Sequence, residues 1–153
     1  MREPDSGLPG LVVSDAPGGG RVAYLAADLD RRYLRELMPD HANLLANLVR
    51  WAARDTIPLR VTGAGLIDCH VYRQENRLIL HLVNLTSANA WRAPIDELIA
   101  VGPLRIDLKL PAGIAGRSAR ALVSSAATPV TLRSGWAQFT VKSVLDHEVL
   151  VLS

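Results

Sequence analysis

Cysteine is all but missing from these 153 residues. Cys69 stands alone, so no intrachain disulfide can form and no zinc site built on several thiolates is possible. Charge of one sign is missing too. Lys plus Arg number 17 against 15 Asp plus Glu, and a formal charge of +2 is too small an excess to indicate nucleic acid or an anionic membrane as partner. No stretch reaches the length of apolar sequence that a transmembrane helix needs. Residues 1–7 hold no apolar run behind a basic start, so no secretory leader is read and a cytoplasmic location is expected. Nor is there a GxGxxG, a GxxxxGK or a GxSxG, which removes the usual phosphate cradles and the nucleophile elbow.

What is present is an ordinary globular balance, with 49% apolar and 21% charged residues. A chain of this length buries one sizeable core, or two small ones. Leu11-Val12-Val13 and Arg21 to Ala27 read as two short strands around Gly18-Gly19-Gly20, a hairpin whose glycines permit the tight turn. The period then changes. Leu44, Leu45, Leu48, Val49 and Ala52 recur at helical spacing, which predicts a helix from about His41 to Arg54 with Asp40 as N-cap. Pro58 forces the chain out of the helix.

Beyond Pro58 only strands and turns are read. Ile67, Cys69 and Val71 alternate with Asp68, His70 and Tyr72. Leu78 to Val83 is apolar on both faces apart from His81, as an interior strand would be. Leu104, Ile106, Leu108 and Leu110 alternate with Arg105, Asp107 and Lys109. Ala119–Val123, Val130–Leu132, Trp136–Val141 and Glu148–Leu152 continue the series. The expected fold is therefore mainly β, an antiparallel β-sandwich over 58–153, preceded by a lead-in and a small strand-strand-helix α/β remnant over 1–57.

The candidate chemistries fail one by one. Adjacent strand residues Cys69 and His70 point to opposite faces, and His81 offers His70 at most one partner, so no metal or other cofactor is expected. Asp28 and Asp30 serve capping or pairing with Arg31, Arg32 or Arg35 better than paired acid-base work. In Asp146-His147-Glu148, a turn in which Asp146 accepts backbone amides is favoured over catalysis. The long connection from Asn84 to Gly102 is the place for a binding function. There Trp91, with Trp136 and Tyr72, would stack on sugar rings while Asn84, Asn89 and Asp96 bond hydroxyls.

Several short segments, in order, carry a resemblance. Gly20 to Arg31 resembles the closing strand and following loop of the β-galactosidase trimerisation domain, a flavodoxin-like relative of class I glutamine amidotransferases. Leu44-Leu45-Ala46-Asn47-Leu48-Val49-Arg50-Trp51-Ala52 is similar to the helix that ends that domain. His81-Leu82-Val83-Asn84-Leu85-Thr86 resembles a strand of the β-domain that follows it in glycosidase-like proteins. Val101 to Leu104 and Leu145 to Val149 fit the same tail. In that family the catalytic acids lie on an upstream TIM barrel, and none of them maps onto this chain. The resemblance implies the C-terminal part of a glycoside-hydrolase-like protein, or a separate frame derived from one. It would act as a non-catalytic structural and assembly module. Its helix stripe of Leu44, Leu45, Leu48 and Val49 is then an interface, toward a second copy or an upstream glycosidase-like domain. A carbohydrate-binding module is the alternative reading, and an independent hydrolase a third.

Overall fold

The computed structural model describes residues 5–86 and 97–153, and divides the chain into two compact units, Met1–Ile57 and Pro58–Ser153. In the first unit, strands β1 (Leu11–Asp15) and β2 (Arg21–Leu25) pair antiparallel, with Leu11 opposite Leu25 and Asp15 opposite Arg21. The turn between them closes through Ala16 N–H to Gly20 O at 2.7 Å, with Gly18 and Gly19 both at positive φ. Two helices follow, α1 (Leu29–Glu36) and α2 (Pro39–Ala52).

Helix α1 was not expected. Its start is marked by Asp28, whose carboxylate pairs with Arg31 at 3.1 Å, and its end by Leu37 in the left-handed region. The N-cap of α2 also differs from expectation. Met38 holds that place and Pro39 opens the helix, because a proline fits the first helical turn, where its missing N–H is no loss. Asp40 sits inside the first turn, where it still complements the positive pole. The C-terminal end of α2 is fastened to the hairpin. Arg21 donates to Trp51 O at 3.1 Å with its guanidinium 5.0 Å from the Trp51 ring centroid, and Arg54 donates to Gly19 O at 3.1 Å. Polar clasps hold this unit together. None of its described residues is fully buried.

The second unit is an antiparallel β-sandwich. One sheet has the order β3 (Leu59–Thr62), β6 (Leu104–Lys109), β10 (Trp136–Val141), β9 (Thr131–Arg133). The other runs β4 (Ile67–Gln74), β5 (Arg77–Asn84), β11 (His147–Leu152), β7 (Ser118–Ala121), β8 (Ala127–Pro129). Alternation sends Leu78, Leu80 and Leu82, Leu104, Ile106 and Leu108, Phe139 and Val141, and Leu150 and Leu152 between the sheets. Burying each such side chain contributes roughly 1.5–3 kcal/mol, which is why this unit closes on its own core while the first does not. The expected interior strand is β5, flanked by β4 and β11.

Between the sheets, Val101 and Val144 pair as an isolated bridge. Gly102 follows at φ 146°, packed so closely on Lys142 that a Cβ there would collide with its carbonyl oxygen.

Candidate functional site

The five-stranded sheet turns Asp68, His70 and Tyr72 of β4, Ile79 and His81 of β5, and Val149 and Val151 of β11 away from the core. Register places His70 directly opposite His81. His70 Nε2 lies 3.0 Å from Asp68 Oδ2, so a carboxylate orients that ring. The Tyr72 ring lies 6.5 Å from His70 at 19° and meets His81 edge-on at 5.5 Å and 86°. Beside them is a depression of about 750 Å³, with Ile79, Val149 and Val151 as an apolar floor and Arg77 and Arg120 at its sides. The two histidines do meet across the sheet, but no cluster of three His, Cys, Asp or Glu is gathered among the described residues. The arrangement can hold a small amphipathic surface by contact. Its one carboxylate–imidazole pair, Asp68 and His70, is half exposed and does not line the depression.

Two polar side chains that face inward are fully employed by the fold. Glu148, only 2% exposed, takes the backbone amides of Val123, Ser124 and Val149 at 2.9–3.0 Å. Burial works against its charge, but the Ser124 hydroxyl and those three amides outweigh it and hold the carboxyl below its ordinary range. The amide acceptor of this segment is thus Glu148 and not Asp146. Strand parity explains the change: Glu148 shares the inward face with Leu150 and Leu152, whereas Asp146 precedes the strand and lies 3.5 Å from His147 Nδ1. Asn84 is the second. Its Nδ2 donates to the carbonyls of Ile99 (2.7 Å), Leu145 (2.8 Å) and Val144 (3.2 Å), and its Oδ1 accepts from Thr86 N–H. An amide so engaged has no donor left for a sugar hydroxyl.

The other residues of the expected sugar site, Trp91, Asn89 and Asp96, lie outside the described residues. Of the supporting aromatics, Trp136 has the Arg60 guanidinium 5.3 Å from its ring centroid, so one face of its ring is covered. Tyr72 is on the five-stranded sheet and belongs to the histidine cluster. Asp28 and Asp30 lie at the start of α1, where the Arg31 backbone amide chiefly holds the fully exposed Asp30 below the ordinary carboxylate range. On α2, Leu44 and Val49 are exposed while Leu45 and Leu48 are half-buried. Cys69 is half-buried against the sandwich core, and burial, then the Asp68 charge, pushes its thiol up.

Four depressions on the sandwich, of about 260 to 750 Å³, are lined without a single Asp or Glu. No described helix is long and apolar enough to cross a membrane.

No sequence-family model matches the chain, and no curated protein matches it in sequence. Solved structures do. Over 98% of its length the chain is similar in fold to alpha-L-fucosidase isoenzyme 2 from Paenibacillus thiaminolyticus, with a TM-score of 0.70 and 20% identity. Over 62% it is similar to a cycloisomaltooligosaccharide glucanotransferase from Paenibacillus sp., solved with cycloisomaltoheptaose, with a TM-score of 0.50 and 10% identity. The chain spans 23% and 16% of those two proteins. At such identities the likeness is one of fold, and the fold is one that glycoside-processing enzymes carry as a minor part of a longer chain.

Proposed function

We propose that the chain is a non-catalytic assembly module of a glycoside-hydrolase-like protein, its first unit being the closing piece of a flavodoxin-like, trimerisation-type domain. One observation carries this reading: the first unit has a regular hairpin and two helices but not one fully buried residue among those described. A two-stranded sheet with two helices has no second layer to close against. Leu11, Val12, Val13, Val22 and Tyr24 stay exposed on the hairpin, as do Leu34, Leu37, Met38, Leu44 and Val49 on and around the helices. Each large side chain left wet forgoes roughly 1.5–3 kcal/mol that burial would contribute. Both hairpin edges are also open to another strand. In a longer protein an upstream domain covers this surface; in the chain alone a second copy does.

The described depressions of the sandwich support the non-catalytic part of this reading. Glycoside hydrolysis needs two carboxylates facing across a cleft, and the four depressions described on the sandwich are lined by none. The likeness of nearly the whole chain to a quarter of a fucosidase supports an accessory place in such a protein.

Light scattering or sedimentation equilibrium at micromolar concentration tests the reading, with a dimer or larger species expected. Val49 is 60% exposed, so Val49→Asp disturbs nothing inside the unit, and it should shift the assembly toward monomer. A single species near 16.6 kDa at every concentration overturns the proposal.

A further inference from the structure

The four-stranded sheet turns its own face to solvent, with a chemistry unlike that of the five-stranded one. Its inward positions are apolar, so alternation throws Arg60 of β3, Arg105, Asp107 and Lys109 of β6, and Gln138 and Thr140 of β10 outward. Register sets Arg60, Asp107, Gln138 and Thr131 side by side across the four strands. The row on one side holds Thr62, Arg105 and Thr140; the row on the other holds Lys109, Trp136 and Arg133. Lys142, just past the end of β10, continues the outward series. Five cations (Arg60, Arg105, Lys109, Arg133, Lys142) thus surround a single carboxylate, and that carboxylate is occupied: Asp107 Oδ1 accepts from Gln138 Nε2 at 2.6 Å and lies 3.4 Å from Arg105 Nη2. The surplus of positive charge on this face is larger than the +2 of the whole chain. It is a local field, not a general one.

Where the sheet meets β8 there is a depression of about 470 Å³, and Arg105, Lys142, Gln138, Thr128, Thr131 and Thr140 stand in its wall. Cations, hydroxyls and a side-chain amide share one concavity, with no carboxylate among them.

We propose that this face binds an acidic polysaccharide, a glycan chain bearing uronate or sulfate groups. The depression takes one charged sugar between Arg105 and Lys142, and the remaining cations hold charges further along the chain. The dimensions fit a polymer rather than a single small anion. Arg105 and Lys109 stand four residues apart on β6, about 14 Å at the rise of an antiparallel strand, and the four strands span a similar width. Hydroxyl and amide groups interleaved with cations match a ligand that alternates hydroxyls with anions.

Other polyanionic partners fit less well. Single-stranded nucleic acid is held by free aromatic faces, and the one aromatic outward on this sheet, Trp136, lies under Arg60. A membrane calls for apolar side chains among the cations, and a protein interface for an apolar centre; here the centre is Asp107 and Gln138. The proposal uses none of the residues from Asn84 to Asp96 and does not depend on the assembly reading.

Calorimetric titration of the full chain with polygalacturonate and with dextran sulfate tests it, with neutral dextran and a short DNA duplex as comparisons. Binding to at least one polyanion and none to dextran is expected, the association constant falling with salt as counterions are released. Preference between the two polyanions identifies the anion as carboxylate or sulfate. The Arg105→Glu, Lys142→Glu double variant should lose about tenfold or more in affinity, since it puts like charge against the ligand. An Arg77→Glu, Arg120→Glu variant, equal in charge but on the five-stranded sheet, should change it little. No heat with either polyanion at low salt, an equal loss in the second variant, or tighter binding of the DNA duplex overturns the proposal.

Discussion

Removing one charge from Glu148 should reveal how much the sandwich depends on a buried carboxylate. Its two oxygens receive three backbone amides, Oε1 from Val123 and Val149 and Oε2 from Ser124. Glu148→Gln keeps the shape and an acceptor for two of the amides, but its NH₂ then confronts the Ser124 amide, donor against donor. A hydrogen bond to a charged group contributes about 1.5–3 kcal/mol, and leaving a buried group unpaired costs about 1–3 kcal/mol, so a loss of roughly 2–4 kcal/mol is expected. In a sandwich of this size that is a fall in Tm on the order of 10–20 °C. The pH dependence has a definite sign. The folded-state pKa lies below the ordinary 4.5, so the unfolded chain takes up the proton first as pH falls. The stabilisation is fully present above about pH 5.5 and fades as pH drops through 4.5 and below the folded pKa. Urea denaturation of both proteins at pH 7 and again near pH 3 is the assay. Wild type and Glu148→Gln should differ clearly at pH 7 and converge in acid. Equal midpoints at pH 7, or a gap that acid leaves untouched, would refute the argument.

Two further outcomes follow from inward-facing groups. Asn84→Asp should destabilise the sandwich at least as much as Asn84→Ala, about 1–3 kcal/mol, because a carboxylate would face the Ile99, Val144 and Leu145 carbonyls with no hydrogen to donate; denaturant midpoints decide it, and a neutral Asn84→Asp contradicts the clamp. Cys69, its thiol pushed up by burial, should react with iodoacetamide at pH 8 much more slowly in the folded chain than in urea, as mass spectrometry over time would show; equal rates would contradict its burial.

Period-2 alternation made the sandwich legible. The Leu104–Leu108 series reads as a strand because every second residue is aliphatic, the Leu78–Val83 run because it is apolar on both faces apart from His81, and the inward residues of both belong to the core. Helix α1 escaped the same reading. Its Leu29 and Tyr33 are spaced for a helix, but Arg31, Arg32 and Arg35 crowd eight residues with charge, and what sustains it includes the Asp28–Arg31 pair. Glu148 was missed as well. It reads as the first residue of its strand while the amide-accepting role goes to Asp146, although its parity with Leu150 and Leu152 already places it inside. The basic face of the four-stranded sheet was hidden by the balanced total charge. Its cations come from four stretches of sequence between Arg60 and Lys142, and only the register of β3, β6, β10 and β9 assembles them.

Strand β11 comes last in sequence among the strands of the sandwich and yet lies inside its sheet, between β5 and β7. A ribosome delivers strands in chain order, so the β4–β5 hairpin and the β7–β8 hairpin are finished while nothing joins them. Until His147–Leu152 arrives, β5 and β7 each present a bare edge, and Leu80 and Ala121 lack the Leu150 that will sit between them. The larger sheet therefore closes in one late step instead of growing strand by strand. Pairing β11 with β5 also bridges more than sixty residues of intervening chain, which slows closure and leaves those edges open to neighbouring nascent chains meanwhile.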